Sequence, residues 1–402
     1  MGKEVPSILA GMNATRIVLP EGVVLGGYGG RDDPSKGEHD PLHVRSCAIK
    51  IGTETMVIVS CDLVGLERRH VIAVKERINE QLGIPPSNVL ISAIHTHAGP
   101  RNIAIFGDPF PGHEQIYKLI EQSIAGAVAA MEPAIVAIAS GKIGGVSFNR
   151  RVYDPTSEHV DDDCLVLVIK PSVARKEQDI FGVVYNFACH PVVMGATNLM
   201  ISADWVHFAN EKIQAAWPGV IPMFLQGACG NLNPVNTPIV GQVPIHTFND
   251  AKLIGDQVGD AVVAIASHAS PVIDPGVVAG IETTIVIEAD DPDKAEVFTF
   301  ADGKTEGGKF IVTSSVQALG FDNTGIAGVP GELFSEIGIR IKNEAPFANV
   351  LVVGYANDYI GYIPTRANYL AGGYETSMMT LREEEGEIVE KAVTDALKRV
   401  KN

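Results

Sequence analysis

The run Val89 to Ile94, "VLISAI", most narrows what this chain can fold into. It is short, apolar and rich in branched residues, which predicts a buried strand. It leads into His95-Thr96-His97 and is stopped by the turn signal Gly99-Pro100. Side chains alternate along an extended chain, so His95 and His97 are expected to share one face at the carboxyl end of that strand. Open α/β sheets keep their ligand crevice at that end. A hydrogen-bonded pair of core histidines is the competing reading.

The neighbouring segments supply more strands and the helices to cover them. "RSCAIKIGTETMVIVSCDLVGL" predicts a hairpin turning at Gly52-Thr53-Glu54, and "RRHVIAVKERINEQLG" an amphipathic helix ended by Gly83. "DCLVLVIKP" and "DIFGVVYNFACHPVVMG" predict two strands with a charged turn between them. "VIPMFLQGACGNLNP" predicts a strand entering a Gly-rich turn, and "LVVGYAND" another strand. Further helices are expected at 114–131, 204–216, 249–268 and 383–400, with one opened by Glu332, and residues 272–326 are expected to be β-rich. Hairpins mixed with strand–helix units predict an α/β fold of mixed β-sheets layered with helices. There is no internal repeat or linker, so one domain over 1–402 is expected.

Net charge is −17, which argues against a nucleic-acid partner and against attraction to anionic lipid. The five cysteines are scattered and lack a CxxC, so buried free thiols are expected rather than a disulfide framework. "MGKEVPSILAGMN" has no basic-then-apolar leader pattern. The chain contains no run of about 18 apolar residues, so no membrane insertion is expected. A cytoplasmic location is the expectation, and the sequence does not specify an oligomeric state.

Four later stretches also end apolar runs in polar groups. "NFACHPVVM" ends at His190, which Pro191 biases toward an extended conformation. "GVPGELF" puts Glu332 at the expected first turn of a helix, where the macrodipole favours a carboxylate. "SFNRRVYD" supplies Arg150 and Arg151, and "NDYIGYIPTRANYLAGGYE" carries Tyr359, Tyr362, Tyr369 and Tyr374. Two or three histidines with a carboxylate are the ligand set of a catalytic zinc, which also needs an open position for water. Each residue alone has a plainer reading: a satisfied core histidine, a helix-start carboxylate, a loop tyrosine. Asp62 and Asp204 end apolar stretches too and could orient a ligand histidine. Capping the helix that starts at Trp205 is the simpler role for Asp204.

"HTHAGP", "FNRR", "NFACHPV", "FLQGACGNLNP", "VPGELF" and "YIGYIPTRANYLAGGYE" occur in the order found in neutral ceramidases. With the opening "AGMNATRIVLPEGVVLGGYGGRDDP", they make the chain resemble the zinc-dependent catalytic domain of the neutral/alkaline non-lysosomal ceramidases over nearly its whole length. The resemblance implies a zinc ion held by His95, His190, Glu332 and Tyr362. It implies that His97 faces the substrate carbonyl or moves protons, and that Arg150 and Tyr374 bind the carbonyl and developing oxyanion. Gly227 stands where the family has a serine that contacts the sphingoid hydroxyl. The family's C-terminal immunoglobulin-like domain and secretion signal are expected to be missing.

The expectation is therefore zinc-assisted hydrolysis of a C–N amide bond in a small, soluble N-acyl compound, with His97 or Glu332 passing a proton to the leaving amine. Ceramide itself, or an ester or lactone, is the alternative substrate for the same site. Two other readings remain: a metal-free amidase with Cys229 as nucleophile in the "GACG" turn, and a non-catalytic ligand-binding protein.

Overall fold

The computed structural model describes all residues except 1–7, 105–106, 152–158, 174–178, 236–246, 273–275, 277, 294–301 and 379. Eight strands form the long path of a mixed sheet: β1 (Ile8–Ile17), β2 (Leu42–Ile51), β3 (Glu54–Cys61), β4 (Val89–Ala93), β5 (Glu132–Lys142), β6 (Asp163–Pro171), β7 (Gly182–Phe187) and β8 (Ile221–Gln226). Their order is β8-β7-β6-β5-β1-β2-β3-β4, and the short strand Ser270–Pro271 adds to β5. A smaller sheet runs β9 (Ala279–Glu288), β10 (Lys309–Phe321), β11 (Thr324–Gly328), β12 (Asn349–Val353), with Asp302–Glu306 beside β10. The pairs β3/β4, β7/β8 and β11/β12 are parallel; the other pairs along these two paths are antiparallel.

The period of two sorts the side chains into layers. On β3, Val57, Val59 and Cys61 join a core shared with helices α1 (Arg68–Leu82), α2 (Gln115–Ala129), α3 (Trp205–Ala216) and α4 (Phe248–Ala266). Met56 and Ile58 point the other way, into a core shared with Leu319, Phe321, Ile326, Leu351 and Val353 of the smaller sheet. The outer face of that sheet is covered by α5 (Ser335–Glu344) and α8 (Glu385–Lys401). Between these two helices lie the short α6 (Arg366–Leu370) and α7 (Tyr374–Met378). The order of layers is helix, sheet, sheet, helix. The central strands of both sheets are buried on both faces and read as apolar runs, whereas the edge strand β9 alternates, with Val286 61% exposed.

The expected hairpin is present, with Gly52 at φ 60° between β2 and β3, and α1 ends at Gly83 with φ 68°. Three expectations need correction. The strand ends at Ala93, so strand alternation does not place His95 and His97. Glu332 is not in a helix: Glu332–Leu333 pairs in parallel with Tyr362–Ile363, and α5 starts only at Ser335. Its backbone N–H is bonded to the Gly361 carbonyl, which ties it to the tyrosine loop before the helix can begin. Asp62 does not orient a histidine of the cluster, because Arg45 Nη1 and the His43 N–H occupy its carboxylate. The charged turn expected between β6 and β7 falls largely outside the described residues.

Candidate metal centre

Parallel strands from both sheets deliver their carboxyl ends to one place. His95 follows β4, His190 follows β7, Cys229 follows β8, Glu332 follows β11 and Tyr355 follows β12. The two sheets are stitched there by backbone bonds: Ala93 N–H to the Tyr355 carbonyl (3.2 Å), Gly354 N–H to the Gln226 carbonyl (3.0 Å) and Asn357 N–H to the Ile91 carbonyl (2.7 Å). The chain turns sharply at these ends. His95, Tyr355 and Asn357 have φ of 66°, 53° and 64°, a left-handed conformation uncommon for residues with a side chain.

His95 and His97 still meet, by this turn rather than by alternation, with Nε2 atoms 3.0 Å apart and rings nearly perpendicular. His190 Nε2 lies 3.0 Å from Glu332 Oε2, and His95 Nε2 lies 3.6 Å from the same oxygen. Side-chain nitrogens of His95, His97 and His190 all fall within 4.8 Å of one another. Two close approaches depend on glycine. A Cβ on Gly27, which has φ +96°, would meet His97 Cγ at 2.4 Å, and one on Gly230 would meet the Glu332 carbonyl oxygen at 2.2 Å.

Tautomers follow from the outer hydrogen bonds. His95 Nδ1 donates to the Val64 carbonyl (2.5 Å) and His190 Nδ1 to the Leu232 carbonyl (2.9 Å). Both Nε2 atoms of the neutral rings therefore present lone pairs, and they face a carboxylate oxygen that is also an acceptor. Buried acceptors that face one another need a proton or a cation between them. Without a metal, a proton fills the role. Burial lowers His95 to about 4, whereas at His190 the Cys229 sulfur and Glu332 outweigh burial and raise it to about 10. Burial alone would raise Glu332, but the charges of His95 and His190 hold it at about 2. A divalent ion would satisfy all three groups together, so these residues fit a zinc ion, whose ligands are imidazoles and carboxylates.

Two tyrosines hold the Glu332 carboxylate in place. Tyr359 donates to Glu332 Oε1, and Tyr355 to Oε2 at 3.4 Å, while the Tyr355 ring stacks on His95 at 4.2 Å. Tyr362 is buried beside Arg150, which hydrogen-bonds it and lies 5.4 Å over its ring. Arg150 is fixed by Glu375 (Nε, 2.7 Å), Asn233 (Nη1, 3.2 Å) and the Gly230 carbonyl (Nη2, 2.8 Å). Arg151 clamps the other oxygen of Glu375 at 2.8 Å. Tyr374 opens α7 at the rim of this group, 41% exposed, with its ring edge-on to Tyr362.

The seven residues singled out from sequence thus gather in one neighbourhood. His95, His97, His190 and Glu332 form the inner group, and Arg150, Tyr362 and Tyr374 the outer one. Asp204 is the helix cap, accepting from the Trp205 N–H at 2.7 Å and from the Met194 N–H at 2.9 Å. Cys229 is fully buried, with Sγ 3.2 Å from Tyr355 Oη. Sequence reasoning assigned no role to Tyr355, Tyr359, Glu375 or Arg31. Arg31 donates to the His97 carbonyl at 2.6 Å and lies over Tyr28, whose ring meets His97 edge-on. Only the "GGYGGRDDP" run hinted at these two.

Residues 19–235 match the family described as neutral/alkaline non-lysosomal ceramidase, N-terminal. The chain belongs to that family. The match spans His95, His97, Arg150 and His190. The neutral ceramidase of Mycobacterium tuberculosis is 25% identical over 452 aligned positions, covering 87% of this chain and 70% of that protein. The neutral ceramidase of Pseudomonas aeruginosa is 25% identical over 190 positions, 42% of this chain and 28% of that protein. The crystal structure of the Pseudomonas aeruginosa neutral ceramidase shares the fold, with a TM-score of 0.80 at 20% identity, over 99% of this chain and 75% of that one. Ceramidase family membership and that shared architecture agree with the α/β class expected from sequence.

Proposed function

We propose that this protein is a zinc-dependent amidohydrolase that cleaves the C–N bond of N-acyl compounds. The observation that supports it is the buried meeting of two imidazole lone pairs and a carboxylate, His95, His190 and Glu332. Family membership supports a hydrolase with an amide of the ceramide type in its range. Tyr362 completes the proposed ligand set; burial and the Glu332 charge raise its pKa well above the usual value, with Arg150 pulling the other way, so it would coordinate only as a bound cation displaces its proton. A specific observation favours a second ligand set, in which His97 replaces Tyr362: the three histidines present nitrogens within 4.8 Å of one another.

A bound zinc would bring a water to a pKa of about 7 and polarise the carbonyl. His97 is half-buried and held well below its usual pKa by burial and by His95 and His190, so its resting ring is neutral; it would take a proton only as the attacking water gives one up, and its protonated form would pass it readily to the leaving amine. Arg150, immobilised by Glu375 and Asn233, holds a positive charge where negative charge develops. Tyr374 at the rim offers its hydroxyl to the same oxygen; one such donor is worth about 3 kcal/mol in other enzymes.

We further propose a small, soluble amide over ceramide. Gly227 offers no hydroxyl to a sphingoid headgroup, and a Cβ there would lie 2.9 Å from Ala188 Cβ and 3.0 Å from its backbone nitrogen. The family's serine therefore does not fit without a shift of the chain. A site that hydrogen-bonds a substrate hydroxyl discriminates strongly for it, and that group is gone. The net charge of −17 would also repel anionic lipid surfaces at low salt.

The test uses chelator-stripped protein reloaded with zinc and a panel of short N-acyl amides, matched esters and detergent-dispersed ceramide. Loss of turnover on stripping, recovery with zinc and the highest kcat/KM on a soluble amide are expected. Full activity in metal-free protein overturns the zinc reading. A kcat/KM for ceramide above every soluble amide overturns the substrate class.

A further inference from the structure

A second group of two histidines and a carboxylate lies on the helix side of the large sheet. Glu67 is the residue before α1, His70 sits in its first turn, and His113 lies two residues before α2. We propose that Glu67, His70 and His113 form a separate site for a divalent transition metal of the zinc class. No step of the proposed hydrolysis uses these residues.

Three observations support the site. The first is geometry: one side-chain ligand atom from each residue lies within 4.8 Å of the others. Glu67 Oε2 is 3.1 Å from His70 Nε2 and 3.8 Å from His113 Nε2. Ligand atoms that surround a tetrahedral zinc at roughly 2.0–2.1 Å are themselves about 3.3 Å apart, between these two separations. The second is lack of satisfaction. Nε2 of His113 is buried and has no hydrogen-bond partner, and Nε2 of His70 is buried beside the Glu67 carboxylate without a well-aligned hydrogen bond to it. His113 is only 8% exposed as a residue, so it cannot turn to water instead. A buried polar atom without a partner costs about 1–3 kcal/mol, which a metal at this point would remove. The third is rigidity. The Glu67 N–H donates to Tyr117 Oη at 2.9 Å, the His70 ring stacks on Tyr117 at 4.6 Å, and His113 N–H donates to the Phe110 carbonyl.

The donor set selects the metal. Two imidazoles and one carboxylate suit zinc and its neighbours, and are too nitrogen-rich for calcium or magnesium. Arg69 now donates to Glu67 Oε2 at 3.0 Å, but its side chain is 66% exposed and can swing out when a cation arrives. The His70 side chain is 24% exposed although its Nε2 is buried, so the site lies just beneath the surface. The site also touches the first centre through the chain: Val64, whose carbonyl fixes His95, is three residues before Glu67.

Zinc content of the full-length protein, measured after loading and exhaustive dialysis, decides the matter. The wild type is expected to retain about two zinc ions per chain. The His70→Ala/His113→Ala and His95→Ala/His190→Ala variants should each retain about one. If the catalytic assignment alone is wrong, His70→Ala/His113→Ala will hold none, which still supports the second site. Equal zinc in the wild type and in His70→Ala/His113→Ala overturns it. Cobalt absorption guards against misfolding of that variant. One equivalent of cobalt added to the His95→Ala/His190→Ala protein should give visible d–d bands, which the milder His113→Gln change should abolish; no bands before that change also overturns the proposal.

Discussion

His95 occupies a backbone conformation that costs about 1–3 kcal/mol for a residue with a side chain. The turn lets its Nδ1 reach the Val64 carbonyl while Nε2 faces Glu332. His97 differs: its Nδ1 is buried without a partner, and its ring is held between His95 and Tyr28. The two histidines should therefore fail differently. His95→Ala is expected to lose the catalytic metal and turnover together. His97→Ala should keep the metal and lose turnover by about 100-fold or more, the scale of general acid–base contributions. Metal analysis beside kcat separates the cases. Metal lost from His97→Ala and kept in His95→Ala would exchange the roles, and metal lost from both would favour the three-histidine set.

At the scale of elements, strand ends and helix starts carry the polar groups, and Asp204 shows how tightly. It caps α3 with φ 59° and is buried, so its carboxyl is pushed up to about 6 from 3.8, burial outweighing the backbone N–H bonds it accepts. A raised folded-state pKa means the neutral form is favoured by folding. Its contribution to stability is full below the ordinary value near 3.8 and is lost as pH rises through about 6. Asp204→Asn cannot titrate. The Tm difference between wild type and this variant should shift in favour of the variant from pH ~4 to pH ~7, as read by thermal melts at matched ionic strength. A difference that stays flat with pH would remove Asp204 from the titrating groups.

Across the whole molecule, the layer between the two sheets holds the site together, because their strands must arrive in register for His95, His190, Glu332 and Tyr355 to meet. Leu351 of β12 is fully buried in that layer. Leu351→Ala should cost about 2–5 kcal/mol in a denaturant melt. The same shift should loosen the adjoining Gly354 and Tyr355 backbone bonds. Zinc affinity is expected to fall with stability; unchanged affinity in a strongly destabilised variant would uncouple the site from the interface.

The sequence by itself determined the element types, because apolar period and turn chemistry are local. Gly83 ends α1, Gly52 turns the hairpin, and β4 was readable in "VLISA". The residue types at the centre were legible too: His95, His97, His190 and Glu332 each follow an apolar run, and the order of motifs points to their family. Their meeting was not. Glu332 reads as a helix start in sequence, but pairing with the Tyr362 segment holds it in a short parallel bridge. Tyr355 and Tyr359 become partners of Glu332 only because β11 and β12 end side by side. The Glu67, His70 and His113 group joins residues 43 positions apart through the packing of α1 beside α2. Local chemistry sets what each segment becomes; which polar atoms face one another depends on strand order and sheet stacking, and those are properties of the assembled chain.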